Sequence, residues 1–213
     1  MKRIVFVSTL MLIFFMTSCQ KENRVEKSKF TMKNNVLLLD GNKFTGIAFE
    51  NDQDGKLKSE WIIVNGIEHG LSTIYYPNGQ VNEKINWKDG EKDGPYEKYY
   101  DNGQLEVKAQ YTFNEKDGLF ETYYKSGNPW RKGYYDNGEL EGTIEEYYES
   151  GKLKTSITWN NDKKEGPFQE YYENGQLKTT GYYKSDQKDG VFETYSESGE
   201  LMEKANFERG RKV

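Results

Sequence analysis

The sequence predicts an all-β fold: an elongated, single-layer antiparallel solenoid of seven 24-residue β-hairpin units. Three observations predict it. Glycines fall at 46, 70, 94, 118, 142, 166 and 190, always 24 apart, and a second set follows nine residues later at 55, 79, 103, 127, 151, 175 and 199. Fixed-period self-similarity of this kind is the mark of a repeat architecture. Between the two glycines sits a double aromatic, as in Tyr75-Tyr76, Tyr99-Tyr100, Tyr123-Tyr124, Tyr147-Tyr148 and Tyr171-Tyr172. Finally, only 34% of residues are hydrophobic and 31% are charged, yet the chain holds 17 Tyr, 11 Phe and 4 Trp. Disordered segments are poor in aromatics, so the rings imply order without a large aliphatic core. A thin sheet suits them, because a tyrosine can bury its ring and keep its hydroxyl wet.

Residues 1–18 read as a signal peptide. Lys2 and Arg3 form a basic start, Ile4 to Met16 an apolar run broken only by Ser8 and Thr9, and Thr17-Ser18 place small side chains before Cys19. The run is short for a membrane span. Cys19 is the only cysteine, so no intramolecular disulfide can form. Residues 19–35 (QKENRVEKSKFTMKNN after the cysteine) are polar and expected to be a flexible tether. Residues 36–45, with the apolar Val36 to Leu39, are expected to form a half-repeat that caps the first sheet edge.

Residues 46–213 then form the seven units. In the third, Gly94 to Tyr100 is the first strand and Asp101-Asn102-Gly103 the turn, Asn-Gly being suited to the positive φ of a tight hairpin. Gln104 to Tyr111 is the second strand, with Leu105, Val107, Ala109 and Tyr111 alternating onto one face. Phe113 to Asp117 carries the chain to the next glycine. Adjacent tyrosines point to opposite faces, so both faces of the sheet carry rings. About fourteen strands at ~4.8 Å would make a ribbon roughly 65 Å long. The last strand, Glu200 to Phe207, is expected to be an open edge.

The element Gly94…Tyr99-Tyr100-Asp101-Asn102-Gly103-Gln104-Leu105 recurs as Gly166…Tyr171-Tyr172-Glu173-Asn174-Gly175-Gln176-Leu177. It resembles the MORN-repeat family in its bacterial variant form. The resemblance implies elongated antiparallel sheets that act as scaffolds or interaction surfaces, with no catalytic residues. Some bacterial members are of the YwqK antitoxin type. The units depart from the pattern at Asn51-Asp52, at Tyr195-Ser196 and at Pro129-Trp130. Met16-Thr17-Ser18-Cys19 similarly resembles a bacterial lipobox, which implies lipid attachment at Cys19 and a cell-envelope protein. Gln20 in place of aspartate favours the outer membrane, with the protein facing the periplasm or the surface.

No catalytic, metal or cofactor site is expected. His69 is a lone histidine at a position where other units carry Asp93, Asp117, Glu141, Glu165 and Asp189, which reads as a polar turn residue. Glu50 to Gly55 superficially suggests a calcium loop, but Trp61 stands where the bidentate glutamate belongs. Loss of residues 1–18 would move the net charge from −5 to −7, since Lys2 and Arg3 leave and no acid does. That charge disfavours nucleic acid and leaves the lipid as the only membrane contact. The expected partner is a protein, with a glycan as the alternative and toxin neutralisation as a third reading. The candidate partner surface is the stripe Tyr75, Tyr99, Tyr123, Tyr147, Tyr171 and Tyr195. The opposite face, with Tyr96, Phe120, Phe168 and Phe192, reads as the better filled one.

Overall fold

The computed structural model describes residues 23–213. The expected signal peptide and Cys19 lie outside the described residues.

Each unit is two antiparallel strands, as in Glu91–Tyr99 with Leu105–Thr112 and Lys163–Tyr171 with Leu177–Lys184. The second strand of each unit pairs in turn with the first strand of the next, so the seven hairpins form one continuous antiparallel sheet. It does not close into a barrel.

The two kinds of turn are the reverse of the expected assignment. The tight two-residue turns lie between units, where both residues have positive φ: Asn65-Gly66 (52° and 83°), Asp89-Gly90 (52° and 85°), Asn137-Gly138 (47° and 88°). That is the backbone of a type I′ hairpin turn, whose twist matches the strands it joins. The segment expected to be a plain connector, Phe113 to Asp117, is such a turn (Phe113 48°, Asn114 70°) followed by the short strand Glu115–Lys116. Within a unit the loop is longer. The Tyr100 N–H donates to Gln104 C=O at 2.8 Å and the Gly103 N–H to Tyr100 C=O at 2.9 Å. Only Gly103 takes positive φ (85°), the pattern of a three-residue loop closed by a glycine bulge. Asn102 serves the turn through its side chain instead, accepting from the Gln104 N–H at 3.1 Å.

The first glycine lattice has a different cause. Between Ile85↔Tyr96 and Trp87↔Lys92 a single residue opposes three, Asp93 to Pro95. Gly94 carries this bulge at φ 113°, and its six equivalents are also positive, from 73° to 152°. A bulge there needs a residue without a Cβ penalty. One lattice therefore marks bulges and the other marks turns.

The core lies on one face. Ala109, Phe120, Leu140 and Ile144 are buried together, with Tyr96, Tyr111, Tyr135, Ile157 and Trp159 packed around them. Phe168 and Phe192 sit two strands apart, where backbones are about 9.6 Å apart, yet their ring centroids are 6.5 Å apart. The rings thus converge above the sheet. Lysines roof this layer: Lys92 lies over Tyr96 and Tyr111, and Lys188 over Phe192 and Phe207, each within 6 Å of the ring centres. Their alkyl stems shield the rings and their ammonium groups face the π clouds.

The first edge is covered differently from expectation. Arg24–Glu26, inside the segment expected to be a tether, pairs in parallel with Ile47 to Phe49. Residues 31–43 make a separate three-stranded sheet. Val36–Leu39 belongs to that sheet, and Leu37 N–H donates to the Gly66 carbonyl at 2.8 Å. Phe44 is buried against Phe30, Ala48 and Ile63. Val25 and Phe30 supply the apolar contacts that the polar composition of the segment conceals. At the other end, Arg211–Lys212 folds back on Phe207 and Glu208, so only the earlier part of the last strand lacks a neighbour among the described residues.

Candidate interaction surface

Directly opposed residues share a face, which assigns the stripes. Glu97 opposes Lys108 and Pro95 opposes Gln110, so Pro95, Glu97 and Tyr99 stand together on the face away from the aromatic core. The expected stripe occupies this face. Each of its tyrosines is half-buried and engages a neighbouring side chain. Tyr99 donates to Glu97 at 2.6 Å, Tyr123 to Glu121 at 2.9 Å, Tyr147 to Glu145 at 2.7 Å and Tyr195 to Glu193 at 2.6 Å. Tyr171 donates to Gln169 at 3.1 Å, and Tyr75 reaches Glu60 at 3.2 Å.

Cations complete several of these pairs. Lys84 lies 3.5 Å from Glu97, Lys132 2.8 Å from Glu145, Lys204 2.9 Å from Glu193, and Arg24 3.2 Å from Glu60. Burial, then the Glu121 carboxylate, pushes the Tyr123 hydroxyl up to about 12. The Lys132 ammonium and then the Tyr147 hydroxyl hold Glu145 below the ordinary carboxylate value. Burial first, then the neighbouring glutamates, likewise holds the hydroxyls of Tyr75, Tyr99 and Tyr147 above the ordinary tyrosine value.

The second tyrosine of each unit does something else. Tyr76, Tyr100, Tyr124, Tyr148 and Tyr172 donate their hydroxyls to the carbonyls of Tyr99, Tyr123, Tyr147, Tyr171 and Tyr195, all at 2.7–2.9 Å. Asn78, Asn102 and Asn174 reach one unit on in the same way, to Asp101, Lys125 and Glu197. These side chains staple neighbouring turns together. In the first unit, where Asn51-Asp52 replaces Tyr-Tyr, a hollow of about 480 Å³ opens between Leu57 and Tyr75-Tyr76-Pro77.

An apolar row on the tyrosine face is absent from the expected site. It comes from the residue after each first-lattice glycine and its cross-strand partner: Leu71 opposite Asn86, Leu119 opposite Tyr134, Pro167 opposite Tyr182, Val191 opposite Asn206. Leu119 is 74% exposed, Val191 46%, Tyr182 44% and Tyr134 41%. The signal was in the sequence, since Ile47, Leu71, Pro95, Leu119, Pro167 and Val191 occupy that place in six of seven units. The aromatic doublet beside it is the louder pattern.

The other readings resolve locally. His69 is not a turn residue: it lies in the strand Ile67–Tyr75, beside the bulge glycine, with Nδ1 3.5 Å from Oδ1 of Asp89. Asp52 Oδ1 accepts the N–H groups of Asp54 and Lys56, both at 2.9 Å, so that carboxylate shapes a hairpin loop. Among the described residues no cluster of three or more His, Cys, Asp and Glu side chains is placed to hold a metal.

A family model described as MORN repeat variant matches residues 68–89, 92–112, 116–137, 140–161, 164–185 and 188–209, well over half of the chain. The chain belongs to the MORN repeat variant family. Its MORN matches begin just past the type I′ turn, which sets the unit boundary two residues before the lattice glycine. The hairpin over 46–64 has the same fold but lies outside the six matches. No curated protein matches the chain. MORN repeats generally serve as modules that contact proteins or membranes, and the family is not typically enzymatic.

Proposed function

We propose that this MORN-repeat chain is a non-enzymatic scaffold of the cell envelope, held by lipid at Cys19, that presents its tyrosine face to a protein partner. The observation that carries the reading is the exposed apolar row beside the Tyr–Glu pairs. The core face of the same sheet is filled and roofed by lysines, whereas this face leaves Leu119, Tyr134, Tyr182 and Val191 in water. They form two exposed groups, Leu119 with Tyr134 and Tyr182 with Val191, and exposed apolar groups of that kind mark contact sites. The stripe Tyr75, Tyr99, Tyr123, Tyr147, Tyr171 and Tyr195 borders the row and supplies amphipathic rings to it.

The lipobox-like Met16 to Cys19 supports the anchor, and the doublet pattern supports a place among bacterial, YwqK-type relatives. Two measurements test the reading. Fatty-acid labelling and fractionation should place the wild-type chain with membranes and the Cys19→Ala chain in the soluble fraction; equal fractionation of both would sink the anchor. Cross-linking capture from envelope fractions should return a defined protein, with capture reduced when Tyr99 and Tyr123 are both changed to Ala. Retention on polysaccharide with no protein captured would turn the reading toward a glycan.

A further inference from the structure

We propose that the hollow in the first unit receives a tyrosine side chain of the partner protein. The ring lies beside Leu57 and donates its hydroxyl to the Tyr75 carbonyl. The inference rests on the scaffold reading above and adds to it an anchoring point and the side chain that fills it.

The other units show what this place holds. Tyr76, Tyr100, Tyr124, Tyr148 and Tyr172 each donate to the carbonyl of the first tyrosine of the next unit. In the first unit the corresponding residue is Asp52, and the corresponding carbonyl is that of Tyr75. Asp52 cannot supply the bond, because a carboxylate accepts and does not donate. Its Oδ1 takes the N–H groups of Asp54 and Lys56, both at 2.9 Å, so the side chain turns into its own loop. Where the ring stands in other units, a space of about 480 Å³ remains, lined by Leu57, Lys58, Tyr75, Tyr76 and Pro77. Clefts of about 300–1,000 Å³ are the size that holds small ligand groups.

The frame that surrounds such a ring is present in the first unit. Lys154 and Lys178 lie 5.7 Å from the ring centres of Tyr148 and Tyr172, and Lys58 holds the same place in its own unit. Glu170 fixes Lys178 at 2.8 Å, and Glu50 fixes Lys58 at 2.6 Å. The asparagine staple also has its counterpart. Where Asn78, Asn102 and Asn174 donate to the next turn, Lys56 Nζ donates to the Pro77 carbonyl at 3.5 Å. Among the described residues, the phenol alone is missing from this junction. An incoming tyrosine therefore meets an aliphatic wall at Leu57, the Lys58 cation for its ring and an acceptor for its hydroxyl.

The ring belongs to a second protein. Residues 1–22 of this chain contain no tyrosine, so the N-terminal segment cannot supply it. A free phenol in an open hollow must offset its lost translational and rotational freedom with one ring. Tyr75 lines the hollow and also begins the stripe that runs to Tyr195. A partner docked along that stripe brings its tyrosine to the hollow as an intramolecular step, at high effective concentration.

The test titrates N-acetyltyrosinamide against the full chain with isotope-labelled leucine methyl groups, read by NMR. The Leu57 methyl resonances should shift saturably, while Leu105, Leu153 and Leu177, beside places already filled by tyrosine, stay where they are. N-acetylphenylalaninamide, which lacks the hydroxyl, should bind about two- to tenfold more weakly. Asp52→Tyr should fill the hollow from within, so that Leu57 no longer responds and envelope capture of the partner falls by about tenfold or more. Asp52→Asn keeps the loop acceptor and the open hollow, and should bind and capture as the wild type does. Circular dichroism confirms that both variants fold, and saturating N-acetyltyrosinamide should reduce capture by the wild type, a readout that needs no variant. The inference is overturned if Leu57 does not respond, if the phenylalanine analogue binds equally, or if Asp52→Tyr binds the probe or captures the partner undiminished. Self-association that Asp52→Tyr abolishes overturns it as well, by giving the hollow to a second copy. If capture depends on Tyr99 and Tyr123 but is unchanged in Asp52→Tyr, this inference falls and the scaffold reading stands. If the wild type captures no protein, the scaffold reading falls and takes this inference with it.

Discussion

Each second tyrosine in a doublet fastens its unit to the next, whereas the first tyrosines Tyr99, Tyr123, Tyr147 and Tyr195 turn their hydroxyls to a glutamate on their own strand. The two should therefore differ in what their hydroxyls are worth. Tyr100→Phe removes the bond to the Tyr123 carbonyl and is expected to cost about 0.5–1.5 kcal/mol. Tyr99→Phe releases only a partly exposed Glu97 to water, and about 0.5 kcal/mol or less is expected. Urea denaturation of the two variants checks the order; equal losses would refute the assignment. Glycines without positive φ carry a second residue-scale expectation. A Cβ on Gly133 would lie 2.1 Å from Ile144 Cδ1 and 2.9 Å from the Phe120 ring, and Ile144 is 1% exposed. Gly133→Ala should thus cost about 1–3 kcal/mol through overpacking. The doublet was legible in the sequence as a stripe on each face, because alternation follows from strand geometry alone. The staples were not, because a hydroxyl's partner one unit away depends on how turns stack.

At the scale of elements, the glycine lattices announced the period but not which glycine serves a bulge and which a turn. Both jobs require positive φ, so the residue type is the same. The type I′ turns escaped notice because four of the seven lack the Asn-Gly or Asp-Gly signature: Phe113-Asn114, Asn161-Asp162, Ser185-Asp186 and Arg209-Gly210 adopt the same backbone. In three of these the side chain at the second position substitutes for glycine's ease, Asn114, Asp162 and Asp186 each accepting a backbone N–H from the unit before at 2.7–2.9 Å. Phe113 is the costly member. It holds φ 48° with its ring 64% exposed, and a left-handed L-residue carries a penalty of about 1–2 kcal/mol that asparagine largely escapes. Phe113→Asn should raise stability by about 1 kcal/mol, read as a higher melting temperature. A fall would mean that the ring contributes contacts that outweigh its backbone. The N-terminal cap was the least legible element, since Val25 and Phe30 are single apolar residues in a polar stretch and their value appears only against Phe44 and Ile63.

For the whole molecule, ionisation gives a common expectation for many units at once. Burial, first of all, holds the hydroxyls of Tyr75, Tyr99, Tyr111, Tyr123 and Tyr147 above the ordinary 10.0. Hydrogen bonds, above all to Tyr99, Glu106 and Glu145 respectively, raise Lys84, Lys98 and Lys132 above 10.5. A group raised in the folded state stabilises it fully below the unfolded pKa, and that stability is lost as pH rises through the folded value. Stability should therefore fall from about pH 10, with Tyr123 contributing up to about 12. Glu50 and Glu145 are held below 4.5 by lysines, so the same reasoning puts an acid limb below about pH 4.5, with a plateau between. Because units contact only their neighbours, the alkaline loss should spread along the sheet as a sum of small local terms. Urea midpoints measured from about pH 8 to 12 should show a plateau and then a decline. Tyr123→Phe should shallow that decline without moving the acid limb. A midpoint unchanged to about pH 11.5, or a variant with the wild-type alkaline slope, would show that the tyrosine face ionises independently of folding.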